Sequence, residues 1–129
     1  MSAIKNFEDL ECWKLARELC KKIYQYTYKS KFSRDFCLTN QIRNSSGSVM
    51  DNIAEGFSRG GNKEFIQFLS ISRGSVGEVK SQLYRAIDQK YITYEEFNIV
   101  RELSVQTGKS ITGFMNYLKR SNLKGFKYQ

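Results

Sequence analysis

The segment AEGFSRGGNKEF, residues 54–65, has nearly the spacing of a nucleotide-binding phosphate loop. In that motif a lysine and then a serine or threonine follow the second glycine, and a buried β-strand precedes the loop. Here Asn62 follows Gly61, and Glu64 rather than a Mg²⁺-binding hydroxyl follows Lys63. The preceding residues have helical rather than strand periodicity. We therefore interpret Gly60 and Gly61 as the end of one helix, with glycine as its left-handed C-cap, and Asn62 as the cap of the next helix.

A row of cations followed by aromatic residues runs along the first predicted helix, at intervals of three and four: Lys14, Arg17, Lys21, Tyr24 and Tyr28. Such a row lies on one face of a helix. The cations could contact phosphates, and unpaired bases could stack on the tyrosines. The alternative is a solvated face with ordinary partly exposed tyrosines. The row is our first candidate for nucleic-acid binding.

A second candidate follows from the turn at residues 60–62, because residues equally distant from a turn lie side by side in antiparallel helices. This rule places Arg43 beside Lys80 as a second basic site. It places Arg73 level with the neighbourhood of Asp51 and Asn52. We expect Arg73 and Asp51 to form a structural ion pair, since a half-buried charge needs a partner, and the alternative for Arg73 is a nucleic-acid contact.

The carboxyl-terminal segment, residues 119–129, is basic and contains no acidic residue. We predict that it forms a salt-sensitive contact with polyanions. The cations concerned are Lys119, Arg120, Lys124 and Lys127.

The composition argues against several kinds of chemistry. The 129 residues contain no histidine, and Cys12, Cys20 and Cys37 form no C-x-x-C pair. A zinc site, a histidine base or a histidine-activated nucleophile is therefore not expected, and the carboxylates fit no di-iron pattern. We predict that the protein is not an enzyme and uses no cofactor. The net charge of +8 instead predicts attraction to polyanions.

Neither a membrane span nor a secretory signal is indicated. No run approaches the roughly 18 apolar residues that cross a bilayer. The first twelve residues also lack the apolar segment of a signal peptide. We expect a cytoplasmic protein.

Four amphipathic helices account for most of the chain, at about residues 7–28, 34–59, 63–89 and 94–121. Short connections make consecutive helices antiparallel, so the expected fold is all-α, a single up-down-up-down four-helix bundle. Ser33 is the expected cap of the second helix, and Thr93 with Glu96 forms a capping box at the fourth. Small residues in the middle of the second and third helices predict a close approach of their backbones; they are Gly47, Ser48, Gly74, Ser75 and Gly77.

Two longer segments carry a family resemblance, FEDLECWKLARELCKKIY and NQIRNSSGSVMDNIAEGFSRGGNKEFIQFLSISRGSVGEVKSQL. Their most specific parts are NIAEGF, EFIQFL and SRGSVGE. The chain resembles, over about residues 7–120, the bacterial four-helix bundle proteins encoded within intervening sequences of 23S rRNA genes. It also looks related to the accessory protein of diversity-generating retroelements, which assists a reverse transcriptase and binds nucleic acid.

The resemblance implies a bundle without enzymatic activity that assembles into a ring, expected to be a homopentamer. Apolar residues lying off the predicted core stripes are the candidate interface: Leu15, Leu19, Tyr26, Ile71 and Ile99. Charge, cation row and resemblance together predict an oligomeric nucleic-acid-binding accessory protein that favours RNA or single strands. The alternative is a scaffold whose basic surface docks an acidic partner protein.

Overall fold

The structure, a computed structural model, describes residues 4–123, and all regular secondary structure in that part of the chain is helical. A 3₁₀ turn at Phe7–Asp9 precedes five α-helices. They are α1 (Glu11–Thr27), α2 (Ser30–Arg34), α3 (Phe36–Arg59), α4 (Asn62–Asp88) and α5 (Tyr94–Leu123). The all-α class with four long helices is confirmed. No helix in residues 4–123 combines the length and apolar character needed to cross a membrane.

The four long helices form a closed square. Helix α1 packs against α3 and α5, and α4 packs against the same two helices from the opposite corner. Each long helix runs antiparallel to the next long helix along the chain. In the side-chain contacts between them, the residue number rises along one helix while it falls along the other. The pairs are Cys20 with Ser46 and Thr27 with Arg43, then Val49 with Ser72 and Gln41 with Arg85, then Asn62 with Leu118 and Arg73 with Thr112.

The core corrects part of the predicted oligomer interface. Leu19 is fully buried and Tyr26 is only 6% exposed, and both belong to a cluster that includes Ile23 and Phe32. The prediction of these two residues as interface is wrong, because α1 contacts two neighbouring helices. Its apolar face is therefore wider than the single stripe that we assumed.

The first two predicted helices, which correspond to α1 and α3, begin later than expected. Leu10 has extended backbone angles after the 3₁₀ turn, so α1 starts at Glu11 rather than near residue 7. Asp35 caps α3 by accepting a hydrogen bond from the Leu38 amide at 3.0 Å. The predicted cap, Ser33, lies within α2 and donates to the Ser30 carbonyl. The short helix α2 was not predicted, and its Phe32 is buried against Tyr91.

The turns that follow α3 and α4 agree with the predictions at Gly60, Thr93 and Glu96, but not at Asn62. Gly60 is the left-handed C-cap, with φ of 88°. The Thr93 and Glu96 capping box is confirmed in both directions, at 2.9 and 3.1 Å. Asn62 is not a cap, because α4 already includes it and its buried side-chain amide donates to the Leu118 carbonyl on α5.

The middle of α3 and α4 meets at the predicted serines, where the Ser75 hydroxyl donates to the Ser48 hydroxyl at 2.9 Å, and not at the predicted glycines. A Cβ atom at Gly47, Gly74 or Gly77 would meet nothing within 4 Å. At Gly56, in contrast, it would lie 2.7 Å from the Phe65 ring. Tight packing of α3 on α4 thus requires glycine near the turn, whereas serines fill the middle of the interface.

Candidate nucleic-acid interface

Arg43 on α3 lies over the rings of Tyr24 and Tyr28 on α1. Its guanidinium carbon is 4.6 Å from one ring centre and 4.7 Å from the other. Its Nε atom donates to the Thr27 hydroxyl at 2.9 Å. Two cation–π contacts and one hydrogen bond therefore fix the position of this guanidinium. We call Tyr24, Tyr28 and Arg43 the arginine–tyrosine cluster.

This cation has no counter-ion within residues 4–123. The ion pairs there join Lys21 to Glu18, Lys29 to Glu96, and Arg59 to Glu55 and Glu64. Arg43 is half-buried, and its guanidinium makes no hydrogen bond in this part of the chain beyond the one to Thr27. Both terminal nitrogens are therefore available to an anion. The Tyr24 and Tyr28 side chains beside them are 41% and 71% exposed.

The predicted cation row leads along α1 to this cluster. Lys14, Arg17 and Lys21 are all exposed. Arg17 rests 5.8 Å from the centre of the Trp13 ring, and Lys21 makes a solvent-exposed pair with Glu18 at 3.5 Å. We call these three cations together with the arginine–tyrosine cluster the α1–α3 surface. The sequence predicted each member, but it did not place Arg43 with the tyrosines.

Arg43 and Lys80 do not form one site. Arg43 faces α1, whereas Lys80 lines a groove between α4 and α5. The hairpin rule gives the level of a residue along its helix but not the side of the helix on which it lies. Our prediction of a joint site was therefore wrong.

The predicted ion pair between Arg73 and Asp51 is also wrong. Arg73 is exposed and donates across to the Thr112 hydroxyl on α5 at 3.2 Å, and Asp51 is exposed on α3. Because neither charge is half-buried, neither requires a partner.

The groove between α4 and α5 has a volume of about 550 Å³. Its cations are Arg73, Lys80 and Lys109, and no carboxylate lines it. Lys109 was not predicted, although equal distance from the turn between α4 and α5 places it level with Arg73. We call this feature the α4–α5 groove; its remaining lining is Val76, Gly77, Ser104, Val105, Gly108, Thr112, Gly113 and Asn116.

The other predicted residues are distributed around the bundle. Lys119 and Arg120 are exposed at the end of α5, while Lys124 and Lys127 lie outside the described residues. Among the remaining interface candidates, Leu15 is half-buried, and Ile71 and Ile99 are 53% and 48% exposed.

The cysteines and acidic residues within residues 4–123 form no arrangement that could hold a metal ion. Burial raises the pKa of the Cys12 thiol to about 12, outweighing two backbone hydrogen bonds that lower it. A thiol with such a pKa stays protonated near neutral pH and is a poor nucleophile.

Two carboxylates stabilise the end of the bundle next to the arginine–tyrosine cluster. The Leu38 amide, followed by the Tyr91 hydroxyl at 2.9 Å, lowers the pKa of Asp35. Burial raises the pKa of Glu96, but hydrogen bonds from Lys29 and Thr93 outweigh this effect and leave the pKa lowered. Both groups are therefore bound more favourably as anions in the folded chain.

These observations describe an all-helical bundle with basic surfaces on two opposite sides. The sequence model of the 23S rRNA-intervening sequence protein family matches residues 8–113, more than half of the chain. The chain belongs to this family.

A solved structure supports the same fold. It is a protein of unknown function from the S23 ribosomal protein family of Bacteroides thetaiotaomicron VPI-5482. The two chains are 23% identical, with a TM-score of 0.74, and the match covers 81% of this chain and 97% of the other. No protein of curated function matches this chain.

Proposed function

We propose that the protein is a non-catalytic, cytoplasmic accessory protein that binds single-stranded nucleic acid, RNA in particular. The observation that carries the proposal is Arg43, a half-buried cation held against two exposed tyrosines without a carboxylate partner in the described chain. A charge removed from water in this way is stabilised by an anion supplied from outside.

A nucleic-acid strand offers what the α1–α3 surface lacks. A phosphate can accept two hydrogen bonds from the terminal nitrogens of Arg43, since the guanidinium geometry matches phosphate oxygens. Bases next to that phosphate can stack on the exposed parts of Tyr24 and Tyr28. The row of Lys14, Arg17 and Lys21 then continues the path of the backbone along α1. Duplexes keep their bases stacked inside, so this surface favours single strands.

The test measures binding of a fluorescently labelled single-stranded RNA by anisotropy, at 50 and 200 mM salt. The wild-type protein should bind, and its affinity should fall steeply as salt rises, because phosphate contacts release counterions. Changing Arg43 to glutamine should weaken binding by roughly tenfold, the size of a charge-assisted hydrogen bond of about 1.5 kcal/mol.

The matched control is Arg85→Gln. Arg85 is an exposed arginine on α4 that donates to Gln41 at 2.7 Å, and it touches neither tyrosine. This variant should keep the wild-type affinity. The absence of binding at 50 mM salt would refute the function, and equal losses in both variants would refute the role of Arg43.

The proposal includes assembly into a ring, with five copies as the expected number. Ile71 and Ile99 remain exposed and Leu15 half-exposed after the core is complete. A ring would repeat the α1–α3 surface and increase the avidity for a long strand. Light scattering at micromolar concentration should give a closed multiple of 15.1 kDa. A monomer throughout that range would refute the ring but not the binding site.

The second candidate function is a scaffold that docks an acidic partner protein. The α4–α5 groove favours this candidate, because Arg73, Lys80 and Lys109 line it without a carboxylate.

A further inference from the structure

The α4–α5 groove combines charge with an absence of aromatic residues. Arg73, Lys80 and Lys109 line it without any carboxylate, and no phenylalanine, tyrosine or tryptophan belongs to the lining. An anionic ligand would therefore find partners for its charge. Unpaired bases would find no ring on which to stack, in contrast to the α1–α3 surface.

The floor of the groove is apolar, and few side chains rise from it. Val76 and Val105 supply the apolar part, and Gly77, Gly108 and Gly113 supply no side chain at all. A Cβ atom at Gly77 or Gly113 would meet nothing within 4 Å. Each such glycine costs about 1 kcal/mol of helix stability relative to alanine. Packing within the described chain does not offset this cost, and the missing side chains leave room in the groove for another molecule.

The length of the groove suits a helix. Its lining on α5 runs from Ser104 to Asn116. This distance is about 18 Å at 1.5 Å per residue, or roughly three helical turns. A backbone can come close only where side chains are small, and glycines on both α4 and α5 satisfy this condition.

We propose that the α4–α5 groove docks an amphipathic, acidic helix of a partner protein. The apolar stripe of that helix packs on Val76 and Val105 over the glycines. Carboxylates at its edges pair with Arg73, Lys80 and Lys109. A second copy of this chain is a poorer occupant, because each copy carries the same net charge of +8. The docking site lies on the side of the bundle opposite the arginine–tyrosine cluster and does not depend on nucleic-acid binding.

The probe is a labelled synthetic helical peptide of about 18 residues, or five turns. It carries a leucine and alanine stripe flanked by glutamates. We expect saturable binding by anisotropy, with amide chemical shifts moving in NMR spectra at Gly77, Gly108 and Gly113. Gly113→Leu should weaken peptide binding at least tenfold, because the new side chain fills the floor of the groove. The double variant Lys80→Glu with Lys109→Glu should weaken it similarly by charge reversal.

The control for Gly113→Leu is Gly47→Leu, since Gly47 on α3 is equally open but lies outside the groove. That variant should bind the peptide normally. A second peptide with lysines in place of the glutamates should not bind.

Any one of three results would overturn the proposal. The first is a failure of the acidic peptide to bind, and the second is equal binding to wild type and Gly113→Leu. The third is a shift of the groove amides by single-stranded RNA and not by the peptide. The Arg43→Gln variant separates the two proposals, since it should lose RNA affinity and keep peptide affinity.

Discussion

The α1–α3 surface and the α4–α5 groove have the same sign of charge but differ in how their cations are held. Arg43 is fixed by two rings and a hydrogen bond, so a ligand meets a positioned guanidinium. Of the three cations in the groove, Arg73 donates a hydrogen bond to Thr112. The floor beside them is open, because its glycines carry no side chains. A positioned cation beside aromatic rings suits a phosphate and its bases, whereas an open apolar floor with a cationic rim suits a helix. Charge alone would not have separated the two surfaces.

Neutralising three cations on each surface tests this comparison with the largest expected effect. Changing Lys14, Arg17 and Lys21 to glutamine should lower RNA affinity roughly 100-fold at 0.1 M salt and reduce the salt slope by about 2, if each cation contacts one phosphate. The same change at Arg73, Lys80 and Lys109 should lower it less than about threefold, through long-range charge alone. Anisotropy titrations at several salt concentrations measure both quantities. Similar losses in the two triple variants would mean that RNA does not distinguish the surfaces.

A pair of glycine substitutions tests whether the groove is open in the free chain. Gly56→Ala should lower the free energy of unfolding by about 2 kcal/mol, because its Cβ atom would press against Phe65 and Phe68. Gly77→Ala should raise it by up to about 1 kcal/mol, since the site has room and alanine favours the helix. Urea unfolding gives both values. A loss at Gly77 comparable to that at Gly56 would contradict an open groove.

Stacking distinguishes the α1–α3 surface more finely. Tyr28→Leu should weaken binding of single-stranded RNA about fivefold, the equivalent of 1 kcal/mol for one stacked base. An abasic strand should show no difference between wild type and the variant. Tyr94→Leu is the control, because Tyr94 is 76% exposed at the start of α5 and lies outside the arginine–tyrosine cluster. A loss that persists with the abasic strand would exclude stacking as the cause.

Acid should affect the two regions unequally, with the smallest effect of the four. The pKa values of Asp35 and Glu96 are lowered in the folded chain. Their stabilisation is complete above the unfolded values, near 4, and is lost as pH falls through the folded values. Amide protection factors, which correct for the slower intrinsic exchange in acid, should therefore fall first where α2 meets α3 as the pH is lowered from 6 to 3, and later in the α4–α5 groove.

The variant Asp35→Asn should remove part of this acid dependence. Between pH 6 and 8 RNA binding should stay constant, because the chain has no histidine. Earlier loosening of the groove would show that other groups control the acid response.

Features that depend on neighbouring residues could be predicted from the sequence. The left-handed Gly60, the Thr93 and Glu96 capping box and the helical periodicities each require only a few consecutive side chains and the local backbone. Asp35 was missed as a cap because Ser33 offered an equally plausible signal two residues earlier. The cap formed at Asp35 because α2 took Ser33 into its own turn.

A basic, all-helical bundle could be inferred before the structure was known, since charge and hydrophobic periodicity are properties of the chain. The sequence also identified the cations and tyrosines of the α1–α3 surface one at a time. Tertiary structure alone decided that Arg43 joins Tyr24 and Tyr28, that Arg73 and Lys80 face α5, and that Leu19 and Tyr26 are buried. The physical reason is rotation: periodicity fixes which residues share a face of one helix, but packing against two neighbours fixes where that face points.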